Sequence, residues 1–314
     1  MVQAFRERSY SVRALVRPAA RVEDLRWGKE IEVFRADLRT HPNLAIAFEG
    51  ADALIHLASA VIGDEDEQFT STVVGTERLL EAMTKSSTWR LILASSFSVY
   101  GWSSISRTLD EESPLEAKLY ERGGYAIAKM WQERVTRRKS AALGWDLTVL
   151  RPGFIWGQGN EYLPSVSSKV GPFHIVFGVW RRLPLTYVEN CARFFVKALE
   201  DPKSIGQTIN LLDSDEVRAW QYIGEILRRT GRHGIRIGTP FFLLNTLSIF
   251  STGLSKLLFK GKGKLPSLLM PCRLAVLKPL RFSNRKLCNE LGWSPRFDFR
   301  ESLARCFARK EGLQ

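Results

Sequence analysis

Short runs of apolar and β-branched residues recur through the first half of this chain, and stretches with helical spacing separate them. Ser11 to Arg17 (SVRALVR) alternates as a strand does, and Glu30 to Asp37 (EIEVFRAD) is a second strand. Ala53 to Ala58 (ALIHLA), Arg90 to Ala94 (RLILA) and Asp146 to Leu150 (DLTVL) are three more. Between them, Phe69 to Met83 places Val73, Leu79 and Leu80 on one helical face, and Tyr125 to Lys139 is a long helical stretch. Strands and helices that alternate in this way build βαβ units. Right-handed crossovers then produce an α/β fold with a doubly wound parallel sheet, and ligands bind at the carboxyl ends of its strands. After about residue 155 the pattern loosens at Pro164, Gly171-Pro172 and Pro184. The expected division is a sheet-bearing domain over 1–155 and a smaller lobe over 156–314 that returns some segments to the sheet.

The 314 residues carry a formal net charge of +13, which favours anionic partners: phosphate-bearing cofactors, acidic lipids or nucleic acid. No zinc-finger, helix-turn-helix or RNA-binding aromatic signature is present, so nucleic acid is not expected as a partner. The four cysteines (Cys191, Cys272, Cys288, Cys306) form no C-x-x-C pair and read as free thiols of a reducing compartment. The four histidines are scattered, so no metal site is expected. Phe5-Arg6-Glu7-Arg8 interrupts any apolar leader, which points to a cytoplasmic protein.

Tyr125 and Lys129 are four residues apart and share one helix face. A free tyrosine ionises near about pH 10, too high for proton transfer at neutrality, and a neighbouring ammonium lowers that value. Such a pair can pass a proton to or from a hydroxyl or carbonyl oxygen while hydride moves to or from a nicotinamide. An isolated tyrosine–lysine pair is common on surface helices. Here it follows Leu91 to Gly101 (LILASSFSVYG), a buried strand that ends in hydroxyls where a doubly wound sheet places its ligand. A serine at that end can hydrogen-bond the reacting oxygen; the competing role for Ser95 and Ser96 is a turn or helix cap.

With these motifs the sequence resembles the extended short-chain dehydrogenase/reductase superfamily, also called the NAD-dependent epimerase/dehydratase family. The likeness runs over nearly the whole chain. It includes Ser95 to Gly101, Tyr125 to Lys129, and Arg151 to Gly157 as the R-P-x-x-x-x-G stretch. Val74 to Leu80 and the closing segment Phe282 to Trp293 add to it. The resemblance implies a dinucleotide-binding domain over 1–155 and a substrate-binding lobe over 156–314. It implies catalytic roles for Ser96, Tyr125 and Lys129, with Lys129 also on the nicotinamide ribose.

Members of the family begin with a strand, a glycine-rich turn and a helix whose N-terminus meets the cofactor diphosphate. Here Val2-Gln3-Ala4-Phe5 resembles the helix after the last glycine. Roughly 15 residues of strand and turn are therefore expected upstream of Met1, or else have been lost. The next strand ends at Val16-Arg17, with an arginine where an acid would bond the ribose of NAD, so NADP is the expected cofactor and NAD the alternative. The resemblance further implies cofactor contacts at Asp37 and Leu38, along Leu57-Ala58-Ser59, at Thr72 in place of the usual asparagine, and at Pro152-Gly153 beside the nicotinamide.

Nucleotide-sugar members carry asparagine three residues after the arginine of the R-P stretch; this chain has Phe154. The stretch is closer in flavour to the 3β-hydroxysteroid and sterol dehydrogenase branch. An oxidoreductase interconverting a secondary alcohol and a ketone on an apolar small molecule is the leading expectation. A nucleotide-sugar epimerase or dehydratase and a non-catalytic, cofactor-free relative are the alternatives. Phe241 to Phe259 is mostly apolar, and cations follow at Lys260, Lys262 and Lys264. The segment 241–264 suits either a peripheral contact with the inner face of a membrane or a buried helix of the substrate lobe. Homodimers are the family's expectation.

Overall fold

The computed structural model describes residues 1–25, 27–259 and 271–311. The chain enters through a short helix, α1 (Val2–Arg6), which buries Phe5. β1 (Arg13–Val16) and β2 (Glu32–Arg35) pair in parallel, with Arg13 opposite Glu32. After β3 (Ala53–His56), α2 (Glu65–Phe69), a π turn over residues 70–74 and α3 (Gly75–Met83) run on without interruption. This helical stretch starts four residues before the expected Phe69. Asp64 caps it, accepting from the Glu67 amide at 2.8 Å, and three acids in the first turn face the positive end of the helix.

β4 (Arg90–Ala94) and β5 (Thr108–Leu109) precede the 20-residue α4 (Gly124–Leu143). Gly144 ends α4 in the left-handed conformation at φ 67° that closes many helices. β6 (Asp146–Pro152), β7 (Phe154–Trp156), β8 (Ser167–Val170), β9 (Phe173–Phe177) and β10 (Leu185–Tyr187) follow. The remainder is α5 (Val188–Glu200), β11 (Thr208–Leu211), α6 (Ala219–Arg229), β12 (Ile235–Thr239), α7 (Phe241–Phe259), α8 (Pro271–Leu274), β13 (Arg281–Phe282) and α9 (Phe299–Glu311).

The main sheet is parallel, in the order β11-β6-β4-β3. Its strands are sandwiched, as the unbroken apolar runs require. Leu91 and Leu93 of β4 face α3 through Leu79, Leu80 and Met83. Ile92, between them, faces α5 through Phe194 and Phe195. β11 comes from the second half of the chain and extends this sheet beside β6. The second half also forms a three-stranded sheet, β12-β9-β8, and a core in which Trp156 packs on Tyr187, Tyr222 and Phe299 with ring centroids 5.3, 5.6 and 5.5 Å away.

The ladder is broken at one place. β1 and β2 form a sheet of their own, and no backbone pairing joins β1 to β3. Side chains bridge the break instead. Leu15 and Phe34 share a core with Leu54, Leu91 and Leu93 on one face, and Phe5 of α1 shares another with Ile55 and Ile92.

Candidate active site

The carboxyl end of β4 and the first turns of α4 bring the hydroxyl and amine groups together. Ser95 and Ser96 follow β4 directly, and they divide the roles that the sequence left open. Ser95 is buried and donates to Glu133 Oε2 at 2.5 Å. Ser96 is half-buried, caps the turn over Phe97–Val99 by accepting from the Ser98 amide at 3.1 Å, and hydrogen-bonds Tyr125. Ser96 thus serves as a cap and as the partner of the tyrosine. Burial pushes the Tyr125 phenol up from its ordinary value, and the hydrogen bond from Ser96 works against that rise.

Lys129 is buried one turn further along α4. Its Nζ donates to the Ala94 carbonyl at 2.8 Å and to Gln132 Oε1 at 2.9 Å. Burial brings its pKa down to about 7, against the opposing charge of Glu133. Held this way, the amine is turned onto the carboxyl end of β4, one helical turn from the Tyr125 phenol.

Gln132 was not legible in the sequence as a site residue. Its carbonyl receives Lys129, while its amide nitrogen reaches Ala58 O at 2.9 Å, Thr76 Oγ1 at 2.9 Å and His56 Nε2 at 3.1 Å. Burial, followed by the charge of Lys129, holds His56 down at about 3, so the imidazole is neutral. Gln132 is thus the junction between the amine and the carboxyl end of β3. Beneath it, Glu133 takes Arg151 at 2.6 and 3.2 Å and Arg137 at 2.8 Å. The Arg151 guanidinium also lies over the Tyr100 ring, 4.8 Å from its centroid. A carboxylate four residues beyond Lys129, on the same face, is the signal that could have found Glu133.

A pH effect on stability follows from Lys129. Unfolded, this lysine keeps its proton up to about 10.5; folded, only up to about 7. Below both values folding carries the full cost of burying the ammonium. Between them the unfolded chain binds more protons, so stability rises with pH, and above both the cost is gone. Lys129→Met lacks this dependence. Urea unfolding at a series of pH values should show the wild type gaining on the variant between pH 7 and 10.5. A constant or shrinking advantage would contradict the assignment.

The carboxyl ends of β1, β2 and β3 converge on a cavity of about 360 Å³. Arg17, Asp37, Leu38, Ala58 and Ser59 all line it. Arg39, another residue missed in the sequence, lines it too and clasps Asp37 with Nε at 3.1 Å and a terminal nitrogen at 2.8 Å. These hydrogen bonds hold the Asp37 carboxyl at about 2. Leu57 is exposed beside the cavity without lining it. Thr72 is buried and its hydroxyl accepts from the Ala60 amide at 3.0 Å, so it shapes the loop after β3 rather than facing the cavity. Pro152 ends β6 and Gly153 follows it. A side chain at Gly153 would run into the Pro184 carbonyl, which accepts from the Phe154 amide at 2.6 Å.

This lining suits the adenosine end of a dinucleotide: apolar walls, one carboxylate and two guanidinium groups. The Ser96–Tyr125–Lys129 cluster suits the nicotinamide end.

The model of the NAD dependent epimerase/dehydratase family matches residues 1–211. The chain is 26% identical over 298 residues to a 3beta-hydroxysteroid-dehydrogenase/decarboxylase, isoform 2, of Arabidopsis thaliana. That alignment covers 90% of this chain and 52% of the relative, so the chain spans about half of the plant protein's length. It is also 26% identical over 297 residues to a 3 beta-hydroxysteroid dehydrogenase/Delta 5-->4-isomerase of Mycobacterium tuberculosis, covering 88% of this chain and 78% of that protein. Among solved structures, the crystal structure of gox2253 superposes with a TM-score of 0.79 at 21% identity, over 99% of this chain and 94% of the other. At that identity the likeness is one of fold.

Proposed function

Because this chain belongs to the NAD dependent epimerase/dehydratase family, we propose that it is an NADP-dependent oxidoreductase that interconverts a secondary alcohol and a ketone on an apolar, steroid-like substrate. The observation that carries this reading is the gathering of Ser96, Tyr125 and Lys129 where β4 ends and α4 begins, with the Lys129 amine on the Ala94 carbonyl. Tyr125 gives a proton to the substrate oxygen or takes one from it, and Ser96 orients that oxygen. Lys129 is a reserve of positive charge that can turn from the Ala94 carbonyl toward a ribose hydroxyl. The bound nicotinamide would supply or accept the hydride.

The preference for NADP is supported by charge. Arg17 and Arg39 border one cavity against a single carboxylate, Asp37, so the lining carries a surplus cation where a 2′-phosphate would sit. The apolar substrate is supported by Phe154, which cannot replace the hydrogen bonds of an asparagine, and by the names of the two hydroxysteroid dehydrogenase relatives.

NADPH titration, followed by nucleotide fluorescence, tests the reading. NADPH should bind more tightly than NADH, and Arg17→Asp should reduce that preference by about tenfold or more, the size of one charge-assisted contact. No NADPH binding would overturn the reading, and an unchanged preference in Arg17→Asp would remove Arg17 from it.

A further inference from the structure

α7 faces the wrong way for a helix that serves only the protein's own core. Leu244 and Ser248 are its fully buried residues before residue 252, and they face the protein; Leu244 packs with Leu274 and Leu277. The opposite side carries Phe242, Leu243, Leu247, Ile249 and Phe250, which are between 48% and 73% exposed. An ordinary surface helix buries its apolar stripe and shows polar residues to water. Here the outer face is the more apolar one. Trp180, itself 58% exposed, enlarges it by stacking on Phe242 at 6.1 Å and an interplanar angle of 18°. Contiguous exposed apolar surface of this kind marks a contact site.

The charge of the sequence around α7 bears on the partner, although Arg228 and Arg229 are paired with Glu225 and Lys278 is held on the carbonyls of Trp102, Ser103 and Ile105. Between Ile226 and Asn289 the sequence holds 13 lysines and arginines and no aspartate or glutamate. That surplus equals the net charge of the whole chain, +13, so elsewhere cations and acids balance. A second copy would present the same cations and be repelled. Nucleic acid would answer the charge and leave the phenylalanines and leucines in water. An anionic lipid surface answers both, because acyl chains receive the apolar face and headgroups receive the cations. No helix among the described residues is long and apolar enough to cross a membrane, which leaves α7 in the plane of the interface. Lys260, Lys262 and Lys264, the cations of the expected membrane segment, lie outside the described residues and enter only through this charge count.

We propose that the outer face of α7, with Trp180, docks on an anionic phospholipid bilayer and holds the protein at its surface.

Co-sedimentation of the purified chain with vesicles tests this, comparing phosphatidylcholine alone with phosphatidylcholine containing about one-third phosphatidylglycerol. Binding to the anionic vesicles should be about tenfold the stronger at low salt and should weaken at high salt. Ile249→Ser combined with Phe250→Ser should lower it about tenfold with an unchanged melting temperature, since both side chains are exposed. Failure to bind anionic vesicles overturns the proposal without recourse to any variant. So does equal binding by the double variant, or a dimer of the free protein that the double variant dissolves, which would give the face to a second copy.

Discussion

On the proposed function, Tyr125→Phe should lower turnover of a secondary alcohol by about a thousandfold, the usual contribution of a positioned acid–base group. The variant keeps the ring and loses one oxygen, so the half-buried packing of α4 on the carboxyl end of β4 is retained. Cofactor affinity should change little, because Tyr125 is apart from the cavity lined from β1, β2 and the loop after β3 that is proposed to take the adenosine end. The comparison is made by kcat with NADPH at saturation, with the melting temperature as a check on the fold. Retention of more than about a tenth of the activity would exclude the phenol as the proton-transfer group.

Glu133→Ala destabilises the protein by about 3–5 kcal/mol, because it leaves the Arg151 guanidinium buried and without its carboxylate. Ser95 loses its acceptor at the same time. Burial alone would push the Glu133 carboxyl up, but Arg151, Arg137 and Ser95 outweigh it and hold the group below its usual range. The stability it confers is therefore present above the ordinary carboxylate pKa and is lost as pH falls through the lower folded value. Urea unfolding at neutral pH measures the loss, and the gap between wild type and variant should close in acid. Replacing Glu133 and Arg151 together by methionine should recover much of the stability, since the cost lies in the unpaired charge. A loss below about 1 kcal/mol for Glu133→Ala would mean that water reaches Arg151.

The elements that the sequence reveals are those whose information is local. The apolar runs of β3, β4 and β6 and the Tyr125–Lys129 spacing each depend on a few adjacent residues, and each stands in the structure at its expected place. Asp64 was equally local: an aspartate followed three residues later by a glutamate is a helix-start signal, and it sets the beginning of α2 ahead of Phe69. Gln132 is different in kind. Its partners His56, Ala58 and Thr76 lie 56 to 76 residues away and meet it only when β3 and α4 are placed side by side. The division of labour between Ser95 and Ser96 was hidden for the same reason, since Glu133 makes the choice from across the helix. The side of α7 that faces the protein is fixed by Leu274 and Leu277, which come later in the chain and pack on Leu244.

The packing between β1, β2 and β3 bears on how the cavity holds its shape. Phe34 of β2 and Leu54 of β3 meet in one core with Leu91 and Leu93. Arg17, Asp37 and Arg39 ride on β1 and β2 or directly behind them. A change of volume at Phe34 or Leu54 would therefore reach the cavity without touching a residue of its lining.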